Sequence, residues 1–184
     1  MTKRIIQQRK RIFIAGEGES EQSFVKWLQQ LSNQLGLNIH LDCQTLEGGG
    51  YKTMLVRTVR ERKRKERYRA KYSILLVDSD RAERGDDGWT LSQLKQQASN
   101  QNIKVCVQCP NLEGILLRML PKNERLQPTG AKAHSQLCHA WHDYQKPADT
   151  RTLAAKFSLN DLLRVAQVDS ELNAFLSLIG LSNG

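Results

Sequence analysis

The chain contains 184 residues, with 28 lysines and arginines against 19 aspartates and glutamates, which gives a formal net charge of +9. This length suits one domain with a sizeable hydrophobic core, and the lack of any apolar run of about 18 residues excludes a bilayer-spanning helix. The positive charge favours a polyanionic partner such as nucleic acid, although a generally basic soluble protein would share this composition.

Strand-like apolar runs alternate with helix-like patterns along the chain, which predicts an α/β fold with about four mainly parallel strands flanked by helices. The predicted strands cover about residues 11–15, 38–46, 72–77 and 103–109. An amphipathic helix that ends at Gly36 follows the first strand, and further helices are predicted at about 53–71, 91–100 and 112–120. We expect a single domain with a core over about 11–120 and a helical C-terminal extension over about 121–184.

Carboxylates follow three of the predicted strands closely. Glu17 and Glu21 follow the first strand, Asp78 and Asp80 the third, and Glu113 the fourth. Because the carboxyl ends of parallel strands meet at one edge of a sheet, these groups can converge on one site. Oxygen ligands of this kind suit Mg²⁺ or Mn²⁺. Any one of them could instead cap a helix or be solvated, but three such segments together favour a shared metal site.

Residues 57–71 form the most basic segment, with nine lysines and arginines against two glutamates. The candidate nucleic-acid contacts in this segment are Arg60, Arg62, Lys63, Arg64, Lys65 and Arg67. As a helix, the segment could neutralise several phosphates without reading sequence. A solvated helix face with ion pairs such as Glu61–Lys65 is the alternative. The preceding Gly48–Gly49–Gly50 could admit a phosphate backbone or could be a flexible turn.

Four cysteines in a chain of this length do not suggest a disulfide scaffold. Cys106 and Cys109, with Cys138, His139 and His142 downstream, invite a zinc site. Residues three apart on a strand face opposite ways, however, so plain thiols are favoured over zinc.

The start of the chain has basic residues but no clean apolar segment before a small-residue cleavage site, so we expect a cytoplasmic protein.

The order of these motifs resembles the TOPRIM domain of topoisomerases, primases and OLD-family nucleases. Glu17-Gly18-x-x-Glu21 follows one apolar strand and Asp78-x-Asp80 follows another. The segments IFIAGEGESEQSFVKWL, LEGGGYKTMLVRTV and CPNLEGILLRML resemble the RloB-like branch more closely, over about residues 11–120. Pro110 and Asn111 stand in swapped order relative to that branch.

The resemblance implies a Rossmann-like TOPRIM fold and a Mg²⁺-dependent nuclease or nickase. It implies that Glu17 is a general base or metal-orienting carboxylate, that Asp78 and Asp80 hold the ion, and that Glu21 and Glu113 complete or support the site. Related nucleases also use a lysine near the site. Lys146 is our candidate for that role, with Lys132 and Lys156 as rivals.

Two functions follow from these expectations. The first is cleavage of nucleic acid, with DNA favoured over RNA as the substrate, in phage defence or a mobile element. The second is a catalytically weak nucleic-acid-binding or regulatory module that acts with a partner ATPase. A dimer is compatible with either function, and neither needs a membrane partner.

Overall fold

The computed structural model describes residues 8–65, 72–81 and 88–182. Within these residues, four strands form one parallel sheet in the order β2-β1-β3-β4. The strands are β1 (Lys10–Gly16), β2 (Ile39–Thr45), β3 (Tyr72–Asp78) and β4 (Ile103–Gln108). The register pairs Gly16 with Thr45 and Asp78 with Gln108, so all four strands end at the same edge.

Eight helices flank the sheet in the described part of the chain. They are α1 (Glu19–Gln34), α2 (Tyr51–Arg64), α3 (Leu91–Asn100), α4 (Leu112–Met119), α5 (Gly130–Ala140), α6 (Thr150–Lys156), α7 (Leu159–Ala166) and α8 (Ser170–Leu178). The prediction of an α/β fold with a four-stranded parallel sheet is therefore confirmed.

Alternating side chains of the strands build two cores, one on each face of the sheet. Ile74 and Leu76 of β3 pack against α1, α4 and the C-terminal helices, whereas Leu75 and Val77 pack against α2 and α3. A strand buried on both faces reads as a continuous apolar run, which explains the sequence of β3. Cys106 lies in the first core and Cys109 packs against the second, so these two thiols face opposite sides of the sheet.

The helix predicted at 53–71 differs from the observed one at both ends. It begins two residues earlier, at Tyr51, and the described helix ends at Arg64, with Lys65 at its C-cap. Residues 66–71, including the candidate contact Arg67, lie outside the described residues.

The C-terminal helices pack on the same core as α1 and the sheet. Leu137, Leu162, Leu172 and other apolar residues of α5 to α8 belong to that core. A buried ion pair also connects α4 to α8. The guanidinium of Arg118, at the end of α4, donates to the carboxylate of Asp169, the N-cap residue of α8, over 2.6 Å. No helix in the described ranges has both the length and the apolar character needed to cross a membrane.

Candidate active site

A cleft of about 300 Å³ opens at the carboxyl edge of the sheet. The β1–α1 connection, the end of β3 and the start of α4 form its walls, and a turn from the C-terminal extension closes one side. Its lining residues are Glu17, Gly18, Glu19, Ser20, Glu21, Asp78, Asn111, Glu113, Lys146 and Pro147. Four of the five carboxylates predicted from the strand ends therefore line one cleft.

Asp78 has the most unusual environment in this cleft. Burial and, after it, the negative charges of Glu21, Asp80 and Glu113 together raise its pKa from 3.8 to about 8, against a lowering by Lys146. Its Oδ1 atom is buried and has no hydrogen-bond partner among the described residues. A buried carboxylate oxygen without a donor is costly unless it is protonated or meets a cation.

Glu21 lies in the first turn of α1 and is only 6% exposed. Its Oε2 accepts a hydrogen bond of 2.9 Å from the N–H of Gly18, so it does cap the helix, as the alternative interpretation held. Burial raises its pKa and the charge of Glu113 adds to this, whereas the backbone N–H groups lower it. Glu21 thus has a structural role and faces the cleft at the same time.

Glu113 meets two groups from the C-terminal extension. The Nζ of Lys146 lies 2.5 Å from its Oε1, and the hydroxyl of Tyr144 lies 3.5 Å from the same atom. Burial and the charge of Glu113 raise the pKa of Tyr144, so the tyrosine stays protonated and can act as a donor. Lys146 is 54% exposed and forms part of the cleft mouth.

The other two candidate lysines lie elsewhere. Lys132 is exposed on α5. Lys156 lies over the ring of Trp141, with its Nζ 5.3 Å from the ring centroid. Of the three lysines, Lys146 alone lines the cleft.

Asp80 is buried beside the cleft rather than in its lining. Its Oδ2 accepts a hydrogen bond of 3.2 Å from the side-chain amide of Asn111. The same carboxylate packs so tightly on Gly130, at the start of α5, that a Cβ on that residue would clash with it. The N-terminus of a helix is a favourable environment for a carboxylate. The structure therefore brings Asp80 near Asp78 but directs it towards α5.

Glu17 forms an ion pair with Arg81 through both carboxylate oxygens. The Arg81 side chain is 6% exposed and also donates to the carbonyl oxygen of Gly49 over 2.5 Å. A bidentate guanidinium largely neutralises the carboxylate it holds. Glu17 therefore lines the cleft with much of its charge already balanced.

The carboxylates of the cleft fit a divalent cation that is bound through only two protein side chains. The described residues contain no group of three or more His, Cys, Asp or Glu side chains spaced to hold an ion. Mg²⁺, however, usually binds through one or two carboxylates and completes its shell with water and phosphate oxygens. Asp78, with its buried Oδ1, and either Glu21 or Glu113 supply such a pair.

The basic residues of α2 divide into two groups. Arg60, Lys63 and Arg64 are exposed. Arg62 instead donates to the carbonyl oxygen of Gln101 over 2.7 Å, and Lys65 pairs with Asp42 over 2.7 Å. The exposed group is thus available to a ligand, whereas the second group stabilises the packing of α2.

Among the described residues, the downstream thiol and imidazole groups form two separate pairs, of which one is His139 and His142, with ring centroids 6.2 Å apart. The Sγ of Cys138 lies 3.6 Å from Nε2 of His134, one turn away on α5. Burial raises the pKa of Cys106 to about 12, so it remains a thiol. These contacts describe packed thiols.

Sequence reasoning missed three residues that organise the site. Arg81 follows the Asp-x-Asp motif directly, where a basic residue among acids is a signal for an internal ion pair. Asn111 caps α4 by accepting from the N–H of Gly114 over 3.0 Å, and an asparagine before an apolar run is a known capping signal. Tyr144 carries no local signal, because it reaches Glu113 only through the packing of the extension.

Comparison with known proteins finds no matching family model, no matching curated protein and no matching solved structure. The resemblance to TOPRIM domains therefore remains a prediction from the sequence motifs alone.

Proposed function

We propose that this chain hydrolyses phosphodiester bonds of nucleic acid with Mg²⁺ or Mn²⁺ bound in the cleft, as a TOPRIM-type nuclease or nickase. The single observation that carries the proposal is the meeting of the buried Glu21 and Glu113 with the half-buried Asp78 in one cleft, where Oδ1 of Asp78 lacks a donor among the described residues. Like charges crowded in a low-dielectric cleft are relieved by a bound proton or a bound cation, and a divalent ion at this position would offset several of them at once.

The residues that would hold the ion are Asp78 and one of the two glutamates beside it, Glu21 or Glu113. When bound, such an ion polarises a phosphoryl oxygen and lowers the pKa of a bound water. Asp80 and Asn111 support this arrangement from behind, because Asn111 donates to Asp80 and caps the helix that carries Glu113. The donor set therefore agrees with a hard divalent cation.

The chain's own groups supply the remaining chemistry. Glu21 has a pKa raised by burial, which makes it a better proton acceptor than an ordinary glutamate at neutral pH. Lys146 stands at the cleft mouth, where its ammonium can contact the phosphate that a substrate brings. Glu17, held by Arg81, is assigned to fixing the β1–α1 connection and not to proton transfer.

The test is cleavage of end-labelled DNA and RNA in Mg²⁺ or Mn²⁺ by the wild type, Asp78→Asn and Glu113→Gln. Asp143→Asn is the matched control, because Asp143 is an exposed carboxylate outside the cleft lining. We expect the two cleft variants to lose at least about 100-fold in rate and the control to retain it. Cleavage that survives both cleft substitutions would overturn the proposed function. DNA is the expected substrate.

A regulatory module without catalysis is the second candidate, and one set of contacts favours it. Arg81 balances Glu17, Lys146 balances Glu113, and Asp80 faces the start of α5. A protein of this kind would bind nucleic acid beside a partner ATPase and would not cleave it. Salt-sensitive binding by the wild type, without cleavage in any divalent ion, would favour this function over the first.

A further inference from the structure

A second groove, of about 310 Å³, lies at the carboxyl end of β2. One wall is the chain from Gln44 to Glu47, and the other is α2, through Arg57, Arg60, Glu61 and Arg64. We call this the arginine groove. Three guanidinium groups beside one polar groove suggest an anionic ligand.

Arg57 is held rigidly at one end of the arginine groove. Its Nη1 donates to the carbonyl oxygens of Leu46 over 2.5 Å and of Gly48 over 2.9 Å. A guanidinium has five N–H groups, and among the described residues the Nε and Nη2 of Arg57 have no hydrogen-bond acceptor. The protein therefore fixes this cation and leaves donors available.

Arg60 and Arg64 lie either side of Glu61. The Nε of Arg60 and the Nη1 of Arg64 each lie 3.3 Å from Oε1 of Glu61. The arginine side chains are 66% and 72% exposed, whereas that of Glu61 is 13% exposed. Glu61 thus orients two arginines whose remaining N–H groups face solvent, and the groove keeps a net positive charge.

The 47–50 turn separates the arginine groove from the acidic cleft. The N–H of Gly48 donates to the carbonyl oxygen of Glu17 over 3.2 Å, and Arg81 links Glu17 to Gly49. Gly49 has φ of +110°, a conformation that favours glycine. One short turn therefore borders both the cleft and the groove, so an extended chain of phosphates could occupy the two together.

We propose that the arginine groove binds backbone phosphates of the polynucleotide whose scissile bond lies in the acidic cleft. This inference rests on the proposed function for the identity of the ligand. It assigns the contacts to Arg57, Arg60 and Arg64, and it excludes Arg62 and Lys65, which are engaged within the protein.

The experiment compares two double variants that remove the same charge. Arg60→Gln with Arg64→Gln removes two of the three arginines of the groove, and Lys104→Gln with Arg125→Gln is the control, because both of these side chains are exposed and lie outside the groove and the cleft. Binding of fluorescent single-stranded DNA, duplex DNA and single-stranded RNA is measured by anisotropy in EDTA over a range of salt concentrations. Thermal unfolding checks that both variants remain folded.

We expect the groove variant to bind at least about tenfold more weakly, since charge-assisted hydrogen bonds to two phosphates are lost. Its plot of log K against log salt should also become shallower, by about 1.4 for a single strand or about 1.8 for a duplex. The control should change less than about threefold. Equal losses in both variants would show a general charge effect and overturn the assignment, as would no loss in the groove variant.

Failure of this inference can be told apart from failure of the proposed function. Binding is measured without a divalent ion, so it does not depend on catalysis. Groove-dependent binding without cleavage would retain the groove and reject the nuclease. If cleavage depends on Asp78 but neither cleavage nor binding changes in the groove variant, the nuclease function is retained and the phosphate-binding role of the arginine groove is rejected. The three nucleic acids show which form the groove prefers.

Discussion

Replacing Asp78 with asparagine should stabilise the free protein and weaken its binding of cations. The carboxylate is crowded by Glu21, Asp80 and Glu113, and burial opposes its ionisation. Asparagine has nearly the same shape without the charge, so the substitution removes the repulsion and leaves the packing intact. The side chain of Gln108, which lies opposite on β4 with its amide lacking a partner among the described residues, could also hydrogen-bond to it.

The size and sign of the effect follow from the pKa. In the unfolded chain Asp78 ionises near 3.8, but in the folded protein it ionises near 8. Below pH 3.8 Asp78 is protonated in both the folded and the unfolded state, so it does not lower the free energy of unfolding. As the pH rises from 3.8 towards 8, the unfolded chain releases this proton while the folded protein keeps it, and the free energy of unfolding of the wild type therefore falls. The full difference corresponds to roughly 6 kcal/mol, which solvent at the cleft mouth should reduce to about 2 kcal/mol.

The measurement is thermal unfolding of the wild type, Asp78→Asn and the control Asp143→Asn from about pH 4 to pH 8. The melting temperature of Asp78→Asn should exceed that of the wild type by about 4–8 °C at pH 8 and by little at pH 4. Millimolar Mg²⁺ at pH 8 should then raise the melting temperature of the wild type more than that of the variant. A gap that does not depend on pH would refute the reasoning.

Three further substitutions test other contacts. Asp169→Ala leaves the buried guanidinium of Arg118 without its carboxylate and should cost about 3–5 kcal/mol in urea unfolding; a loss below about 1 kcal/mol would contradict the buried pairing. Gly130→Ala drives a methyl group into the Asp80 carboxylate and should destabilise the fold by about 1–3 kcal/mol, with unchanged stability as the opposing result. Lys146→Met removes the counter-ion of Glu113, so Mn²⁺ measured by electron paramagnetic resonance should bind several-fold more tightly; weaker binding would count against competition at this carboxylate.

The strands and most helices could be predicted because each has a local cause. The apolar run of β3 comes from burial on both faces, and the helix predicted at 91–100 matches α3 because Thr90 and Gln93 cap it reciprocally. The convergence of Glu21, Asp78 and Glu113 could also be predicted, since parallel strands of one sheet must end together.

The rest of the site depends on contacts with no local pattern. Lys146 and Tyr144 reach Glu113 from the C-terminal extension, whose position is decided by apolar packing around Leu137. The orientation of Asp80 depends on where α5 begins, which its own sequence neighbours do not specify. These are long-range consequences of folding, and a pattern read along the chain cannot contain them.

The basic segment illustrates an intermediate case. From its charge, the whole segment was predicted to contact nucleic acid, but on a helix its side chains point to different faces. Arg60 and Arg64 are four residues apart and lie on the helix face that lines the arginine groove. Arg62 instead points to Gln101, the C-cap residue of α3. Helical periodicity could have made this division from the sequence, once the helix boundaries were known.

The stability of the fold and the proposed cation binding in the cleft would have the same electrostatic origin. The free protein offsets the crowded carboxylates partly by protonating Asp78 and partly through Lys146, which is half exposed and therefore easily displaced. A divalent ion would replace both the proton on Asp78 and the ammonium of Lys146. The repulsion that destabilises the free protein would then be relieved on binding, and this would increase the affinity for the ion. A change that relieves the crowding without supplying a ligand must then stabilise the fold and weaken the cation site together. A cleft variant that gained stability and kept its cation affinity would show that the two properties have separate causes.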